Sequence, residues 1–241
     1  MASHFAIARG KMPMVDAERL RTIANWSHDL EDEAFERARG AVREKSYRQG
    51  ATICEKDRDS RDWVGVVDGL VKLRALSEDG KEVTFSGVHA GGWFGEGSVL
   101  KGERRQYEVV ALRDTTVALL DRGTFMWLFE NSAAFSRFLV GQLNERLGYF
   151  IELVENDRML EPTARIAKAL ASMMNPVLFP DVGDHLKITQ EELGLIAGVS
   201  RPIANQALKA LEGRGILRLE YGGITVLELV ALQDYGSLGA E

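Results

Sequence analysis

Hydrophobic and polar positions along the chain change period three times, and each period predicts a different kind of element. Between residues 16 and 42, Leu20, Ile23, Trp26, Leu30, Phe35 and Val42 recur at largely helical spacings among charged residues, which predicts amphipathic helices. From about Tyr47 short apolar runs alternate with Gly and Asp turns: GATICEKD, DWVGVVDGLVKLRAL, SEDGKEVTFSGV, HAGGWFGE, YEVVAL and TTVALLD. Asp68-Gly69 and Asp79-Gly80 are strong turn dipeptides, and short strands at this spacing predict a β-sandwich or barrel. From Asn131 a helical pattern returns for about thirty residues, with Asn131 and Ser132 both suited to cap it. Val140, Leu143, Leu147, Phe150 and Val154 form a heptad seam flanked by Glu145, Arg146, Glu152 and Glu155. Such a seam packs on its own chain or on a second copy; a parallel or near-parallel dimer is expected. Pro162 interrupts the pattern and marks a hinge, after which TARIAKALASMMNP is again amphipathic.

The segment from Leu186 onward reads element by element. Thr189 and Glu192 stand at capping-box spacing before a short helix carrying Leu193, Ile196 and Ala197. Gly198 suits a left-handed bend, Val199 plugs the turn, and Ser200 is placed to cap a second helix with Pro202 in its first turn. Ile203, Ala207, Leu208 and Leu211 are expected inward, leaving Arg201, Pro202, Asn205, Gln206 and Lys209 outward. Helix, glycine-containing turn and second helix make a helix-turn-helix. Arg218 to Val226 then predicts a hairpin through a Gly222-Gly223 turn, the wing of a winged helix.

Composition changes this picture little. The 241 residues carry a net charge of −6, which argues against non-specific attraction to nucleic acid but leaves a local basic surface open. The second helix supplies one, with two cations and no anion between Arg201 and Ala210. Asn and Gln side chains pair with adenine in the major groove and Arg with guanine. A single cysteine, Cys54, excludes an intrachain disulfide and a four-cysteine metal site, and His4, His28, His89 and His185 are scattered. No metal site is expected; haem, with its one or two protein ligands, is left open by this count. The acidic run Glu31-Asp32-Glu33 reads as a solvated helix face. No catalytic triad, metal cluster or nucleotide-hydrolysis motif is present, so no enzyme and no catalytic residue is expected. No apolar run reaches membrane-spanning length, and MASHFAIARGKM lacks the apolar core of a secretory signal, so a cytoplasmic protein with no membrane partner is expected.

FGEGSVLKGERR in a strand-rich region, a long seam-bearing helix, and GVSRPIANQALKALEGRGIL, in that order, resemble the CRP/FNR family of bacterial transcription regulators over roughly residues 20 to 235. The resemblance implies an α+β chain: an N-terminal β-roll (a double-stranded β-helix of cyclic-nucleotide-binding type) over 1–130, a dimerisation helix over 131–161, and a winged helix-turn-helix over 162–241. It implies double-stranded DNA with a palindromic operator as partner, a second copy of the chain through Val140, Leu143, Leu147, Phe150 and Val154, and contact with RNA polymerase. DNA-binding residues would be Thr189, Ser200, Arg201, Pro202, Asn205, Gln206 and Lys209.

Under the same resemblance FGEGSVLKGERRQY is the phosphate-binding cassette, in which helix-start N–H groups and one Arg hold a cyclic phosphate and a Glu accepts from the ribose hydroxyl. Gly95, Glu96, Gly97, Ser98, Arg104, Arg105, Gln106, Tyr107, Arg146 and Phe150 become candidate ligand residues, with Arg105 as the phosphate arginine. The departures matter. Gln106 replaces the Ser or Thr that usually follows this Arg, and Tyr107 replaces a small residue. Phe150 and Ile151 stand where cyclic-AMP-binding members place two hydroxyl side chains against adenine, and neither can hydrogen-bond through its side chain. Pro202 and Gln206 likewise depart from the family's usual DNA-reading set, implying a different half-site. These departures leave open a cyclic dinucleotide, with Tyr107 stacking on a base, another small effector, or a closed pocket in an effector-independent regulator. A nucleotide-sensing module that does not bind DNA is the competing class.

Overall fold

The structure, a computed structural model, describes residues 15–76, 82–159, 161–180 and 182–236; side chains between 152 and 160 lie outside that description, as does the Asp79-Gly80 turn. The chain opens with α1 (Ala17–Ile23), a 3₁₀ turn at Asn25–Ser27 and α2 (Asp32–Ala41). Leu20, Ile23, Trp26, Phe35 and Val42 are buried, as the periodicity predicts. The Glu31-Asp32-Glu33 run is exposed at the start of α2, where Glu31 accepts from the Ser132 hydroxyl at 2.9 Å.

Strands β1 (Arg43–Tyr47), β2 (Thr52–Cys54), β3 (Asp62–Asp68), β4 (Leu70–Leu76), β5 (Glu82–His89), β6 (Trp93–Phe94), β7 (Glu108–Ala111) and β8 (Thr115–Asp121) follow, with the short α3 (Glu96–Lys101) after β6. They make two antiparallel four-stranded sheets, ordered β1-β8-β3-β6 and β2-β7-β4-β5. Alternation along β3 assigns its faces. Val64 and Val66 meet Val71, Leu73, Val109 and Val117 inside the roll. Trp63 points the other way and packs with Trp26, Trp93, Phe125 and Phe135 beneath the helices. This is the β-roll of the sequence reading.

The helical pattern starts earlier than Asn131. Helix α4 (Arg122–Asn131) leads into α5 (Ala133–Met159), and Ser132 divides them. Ser132 Oγ accepts from Phe135 N at 3.4 Å, so Ser132 opens α5, whereas Asn131 closes α4 and donates to Trp127 O. Helix α5 carries two stripes one residue apart. Phe135, Leu139, Gln142, Arg146 and Tyr149 face the roll: the first two are buried, Gln142 and Arg146 donate to Trp93 O, and Tyr149 donates to Phe85 O. Val140, Leu143, Leu147 and Phe150 face outward, with Val140 64% and Leu147 60% exposed. Val154 belongs to the same pattern, but its side chain lies outside the described residues.

The C-terminal body comprises α6 (Pro162–Met173), β9 (His185–Leu186), α7 (Gln190–Ala197), α8 (Arg201–Gly213), β10 (Leu217–Glu220), β11 (Gly223–Val226) and α9 (Leu229–Gln233). Pro162 occupies the first turn of α6, where no helical N–H is missed. The sheet is ordered β10-β11-β9. Its hairpin turns at Tyr221-Gly222, because Glu220 pairs with Gly223; the predicted Gly222-Gly223 turn is one residue out.

Candidate effector pocket and DNA-reading surface

Gly95 follows β6 and stands at the N-cap of α3 with φ +91. Only a residue without a side chain fits, since a Cβ would lie 1.8 Å from Arg105 Nη1. Arg105 is held from behind: its N donates to Arg58 O, its O accepts from Asp57 N, and its Nη2 donates to Asp62 O at 2.9 Å. It is 4% exposed, and its Nη1 has no hydrogen-bond partner among the described residues. Glu96, 3% exposed, forms an ion pair of 2.9 Å with Arg146 of α5, while its Oε2 has no hydrogen-bond partner among the described residues. Gly95 thus separates a buried cation from a buried anion, each with one unsatisfied atom.

The surrounding wall is partly apolar. Tyr107 is half-buried edge-on to Phe85, and burial pushes its phenol pKa up, with the nearby Glu96 charge adding to the effect. Burial likewise raises the Cys54 thiol against the opposing pull of Arg105. Ser98 is buried, and the space beside Gly97 is open. Arg104 and Gln106 are exposed, unlike Arg105 between them. Phe150 is partly exposed on the outer stripe beside the Tyr149 ring, and Ile151 is exposed.

In the C-terminal body, α7 opens with the full capping box of Thr189 and Glu192, and Gly198 closes it with φ +64. Ser200 stands at the N-cap of α8 but makes no capping bond through its side chain. Ala204, Ala207, Leu208 and Leu211 face inward. Ile203 does not: it is 40% exposed, because the buried stripe runs through 204, 207, 208 and 211. Ser200, Arg201, Pro202, Gln206 and Lys209 are exposed. Arg201 lies loosely, 4.0 Å from Glu191. Asn205 is half-buried and donates to Gln190 Oε1 at 2.7 Å. The Thr189 side chain is exposed but engaged with Glu192.

The two bodies meet. Arg113, between β7 and β8, donates to both carboxylate oxygens of Glu192 and to Lys187 O. Ile196 lies over Gly87 of β5, where a Cβ would fall 2.4 Å from its Cδ1. His89 stacks on Phe179 at 4.0 Å and sets Nε2 2.8 Å from Met173 O. Sequence reasoning missed Arg113, His89, Gln142, Tyr149 and Gln190. Helical spacing from Arg146 was the available signal for Gln142 and Tyr149; the others meet their partners only through tertiary packing.

A roll with a buried Arg–Glu cassette, followed by a long helix and a winged helix-turn-helix, is the arrangement of a DNA-binding regulator. Residues 44–132 match the cyclic nucleotide-binding domain model, and residues 164–235 match the Crp-like helix-turn-helix domain model. The cAMP-activated global transcriptional regulator CRP of Salmonella typhimurium is 30% identical over 175 residues, covering 71% of this chain and 83% of that protein. The cAMP-activated global transcriptional regulator Vfr of Pseudomonas aeruginosa is 27% identical over 162 residues, covering 64% and 75%. FixK2 from Bradyrhizobium japonicum shares the fold with TM-score 0.64 at 21% identity, covering 83% of this chain and 99% of that one. The c-di-GMP responsive global regulator CLP from Xanthomonas campestris shares it with TM-score 0.56 at 20% identity, covering 81% and 99%. The chain belongs to the CRP/FNR family of transcription regulators, a family of DNA-binding proteins rather than enzymes.

Proposed function

We propose that this regulator works as a cytoplasmic homodimer on a palindromic operator, with its DNA affinity set by a small effector in the β-roll. The sensor would span 1–130, the dimerisation helix 131–161 and the DNA-binding domain 162–241. The observation that carries the effector reading is the pair across Gly95: Arg105 Nη1 and Glu96 Oε2, both buried without a hydrogen-bond partner among the described residues. Leaving such atoms buried costs about 1–3 kcal/mol each, more when charged, and a ligand with an anionic oxygen beside a hydroxyl relieves both. A cyclic nucleotide or cyclic dinucleotide carries that combination. The relatives named as cAMP-activated and c-di-GMP responsive support this class.

The base end favours neither as it stands. At the positions where the family resemblance expects the base contacts, Phe150 and Ile151 would offer only hydrocarbon to a purine amino group, and an unsatisfied amino group costs about 1–3 kcal/mol, roughly 5- to 150-fold in affinity. Selectivity for adenine over other bases would therefore be weak. Gating would run through the contacts between bodies, Arg113–Glu192, Ile196 on Gly87 and His89 on Met173, provided the effector binds one pose of the winged helix better than another. Two symmetry-related α8 helices would then read half-sites about one helical turn apart. Family membership supports contact with RNA polymerase as part of this reading.

A second reading rests on Arg105 being already bonded to Asp62 O and Glu96 already paired with Arg146, which together hold the cassette without a ligand. That is an effector-independent regulator. Titration calorimetry with cyclic AMP, cyclic GMP and cyclic di-GMP separates the two. Saturable binding, lost in Arg105→Ala with its circular dichroism intact, is the expected result. No binding by a protein that shifts DNA unaided would establish the second reading.

A further inference from the structure

The bond between Gln190 and Asn205 joins the two helices of the helix-turn-helix. Gln190 is the first residue of α7, and Asn205 lies in the second turn of α8. Asn205 Nδ2 donates to Gln190 Oε1 at 2.7 Å, and both side chains are half-buried. Gly194, one turn after Gln190, brings the helices together there: a Cβ on it would sit 3.0 Å from Val199 O and 3.5 Å from Ala204 Cβ. The backbone of Gln190 is fixed as well, between the Thr189–Glu192 cap and the grip of Arg113 on Glu192.

We infer that Gln190 is a positioning residue for base recognition, which fixes the Asn205 amide so that it presents one carbonyl oxygen and one N–H to an adenine. This rests on α8 being the base-reading helix. A free Asn amide presents either end outward after a half-turn about its last torsion. Adenine in the major groove offers an N6–H donor and an N7 acceptor side by side, so it accepts the amide in only one sense. Asn carries two N–H donors and one carbonyl oxygen. In this arrangement Gln190 Oε1 takes one N–H, which holds the Asn205 side chain in a single rotamer and leaves its other N–H and Oδ1 for the base. Gln190 thereby shapes specificity without touching the base itself. Arg201, 4.0 Å from its nearest carboxylate, has no comparable restraint.

The test is selection of binding sites from a library of randomised palindromes by the full-length protein, in parallel with Gln190→Ala, Gln190→Glu, Asn205→Ala and the Gln190→Ala/Asn205→Ala double variant. A fixed bidentate contact discriminates by about 5- to 150-fold at its position. The expected result is that Asn205→Ala and Gln190→Ala relax adenine preference at the same half-site position, to within about threefold of the other bases on that scale. The double variant should relax it no further. Gln190→Glu, which keeps an acceptor oxygen, should retain the preference while binding all sequences more weakly, since it adds a negative charge near phosphate. Neither alanine variant should change the salt dependence of binding. A Gln190→Ala protein with the wild-type preference overturns the inference. If Asn205→Ala itself changes no position while the parent selects a clear motif, the α8 assignment fails for that residue and the inference falls with it.

Discussion

Glu96 in the cassette helix and Arg146 on the roll-facing stripe of α5 form an ion pair of 2.9 Å in which both side chains are largely buried. The pair joins α3 to α5, the helix whose other stripe faces away from the roll. Removing one partner leaves a buried charge, which costs about 3–5 kcal/mol, whereas removing both costs less. Arg146→Met should therefore lower stability by about 3 kcal/mol. Arg146→Met combined with Glu96→Gln should recover part of that loss. Denaturant unfolding of the two variants checks this; an undiminished loss in the double variant would argue against coupling.

Gly95 touches Arg105 from the other side. A methyl group at Gly95 meets Arg105 Nη1 and requires a positive φ that Ala tolerates poorly. Gly95→Ala should lower stability by at least about 1 kcal/mol and turn the Arg105 guanidinium out of its site. Any ligand that binds the parent should be lost. Gly183→Ala, outside the cassette, is the control, because a Cβ there meets nothing. Parallel titration of the two variants with the parent's ligand should show loss only in the first.

Much of this architecture is legible in the sequence because it rests on local patterns. The capping box of Thr189 and Glu192, the left-handed Gly198 and the outward heptad stripe each depend on residues a few positions apart. The errors are also local: Ile203 was assigned inward and the wing turn one residue late. In both, neighbouring positions carry nearly the same pattern and tertiary contacts choose between them. Within the pocket, the Gly95–Glu96 stretch and Arg105 are readable as types in a row. What the row does not contain is that Asp62 and Arg146 already hold part of their bonding capacity. Contacts such as Arg113 with Glu192 join residues far apart in sequence and leave no periodic trace.

The outward stripe of α5 gives a prediction about assembly. Leu147 is 60% exposed in the protomer, so replacing it should scarcely change protomer stability, within about 0.5 kcal/mol. Leu147→Glu would set like charges against each other in a dimer seam. Sedimentation velocity should show a dimer for the parent and a monomer for the variant at micromolar concentration, with operator affinity falling accordingly. A variant that remains dimeric places the seam elsewhere.

His89 predicts a pH effect at the junction of the two bodies. Its Nε2 is 2.8 Å from Met173 O and its Nδ1 3.0 Å from Ala90 O, so two carbonyls favour the protonated ring. Burial opposes them and wins, holding its pKa below the ordinary 6.5, with Arg113 adding to the same effect. The folded state then binds fewer protons than the unfolded state in the window below 6.5. Stability from this group is complete above that window and is lost as pH falls through it. Thermal unfolding of the parent should decline more between pH 7.5 and 5.5 than that of His89→Gln, which keeps a donor but does not titrate. Equal declines would remove His89 as the cause.

Lys209 and Arg201 should separate by the kind of defect each leaves. Both are exposed on α8, with Lys209 farther along the helix from the turn. A lysine on phosphate contributes counterion release that does not depend on sequence, so Lys209→Ala should weaken binding to all sequences alike and reduce the salt slope by about 1. An arginine on guanine contributes discrimination, so Arg201→Ala should cost about 1–3 kcal/mol on the preferred operator and relax preference at one position. Binding isotherms across a salt series, on the selected operator and on a scrambled duplex, distinguish the two. Loss of affinity on the operator alone for Lys209→Ala, or on both duplexes equally for Arg201→Ala, would reverse the assignments and rotate α8 in the groove.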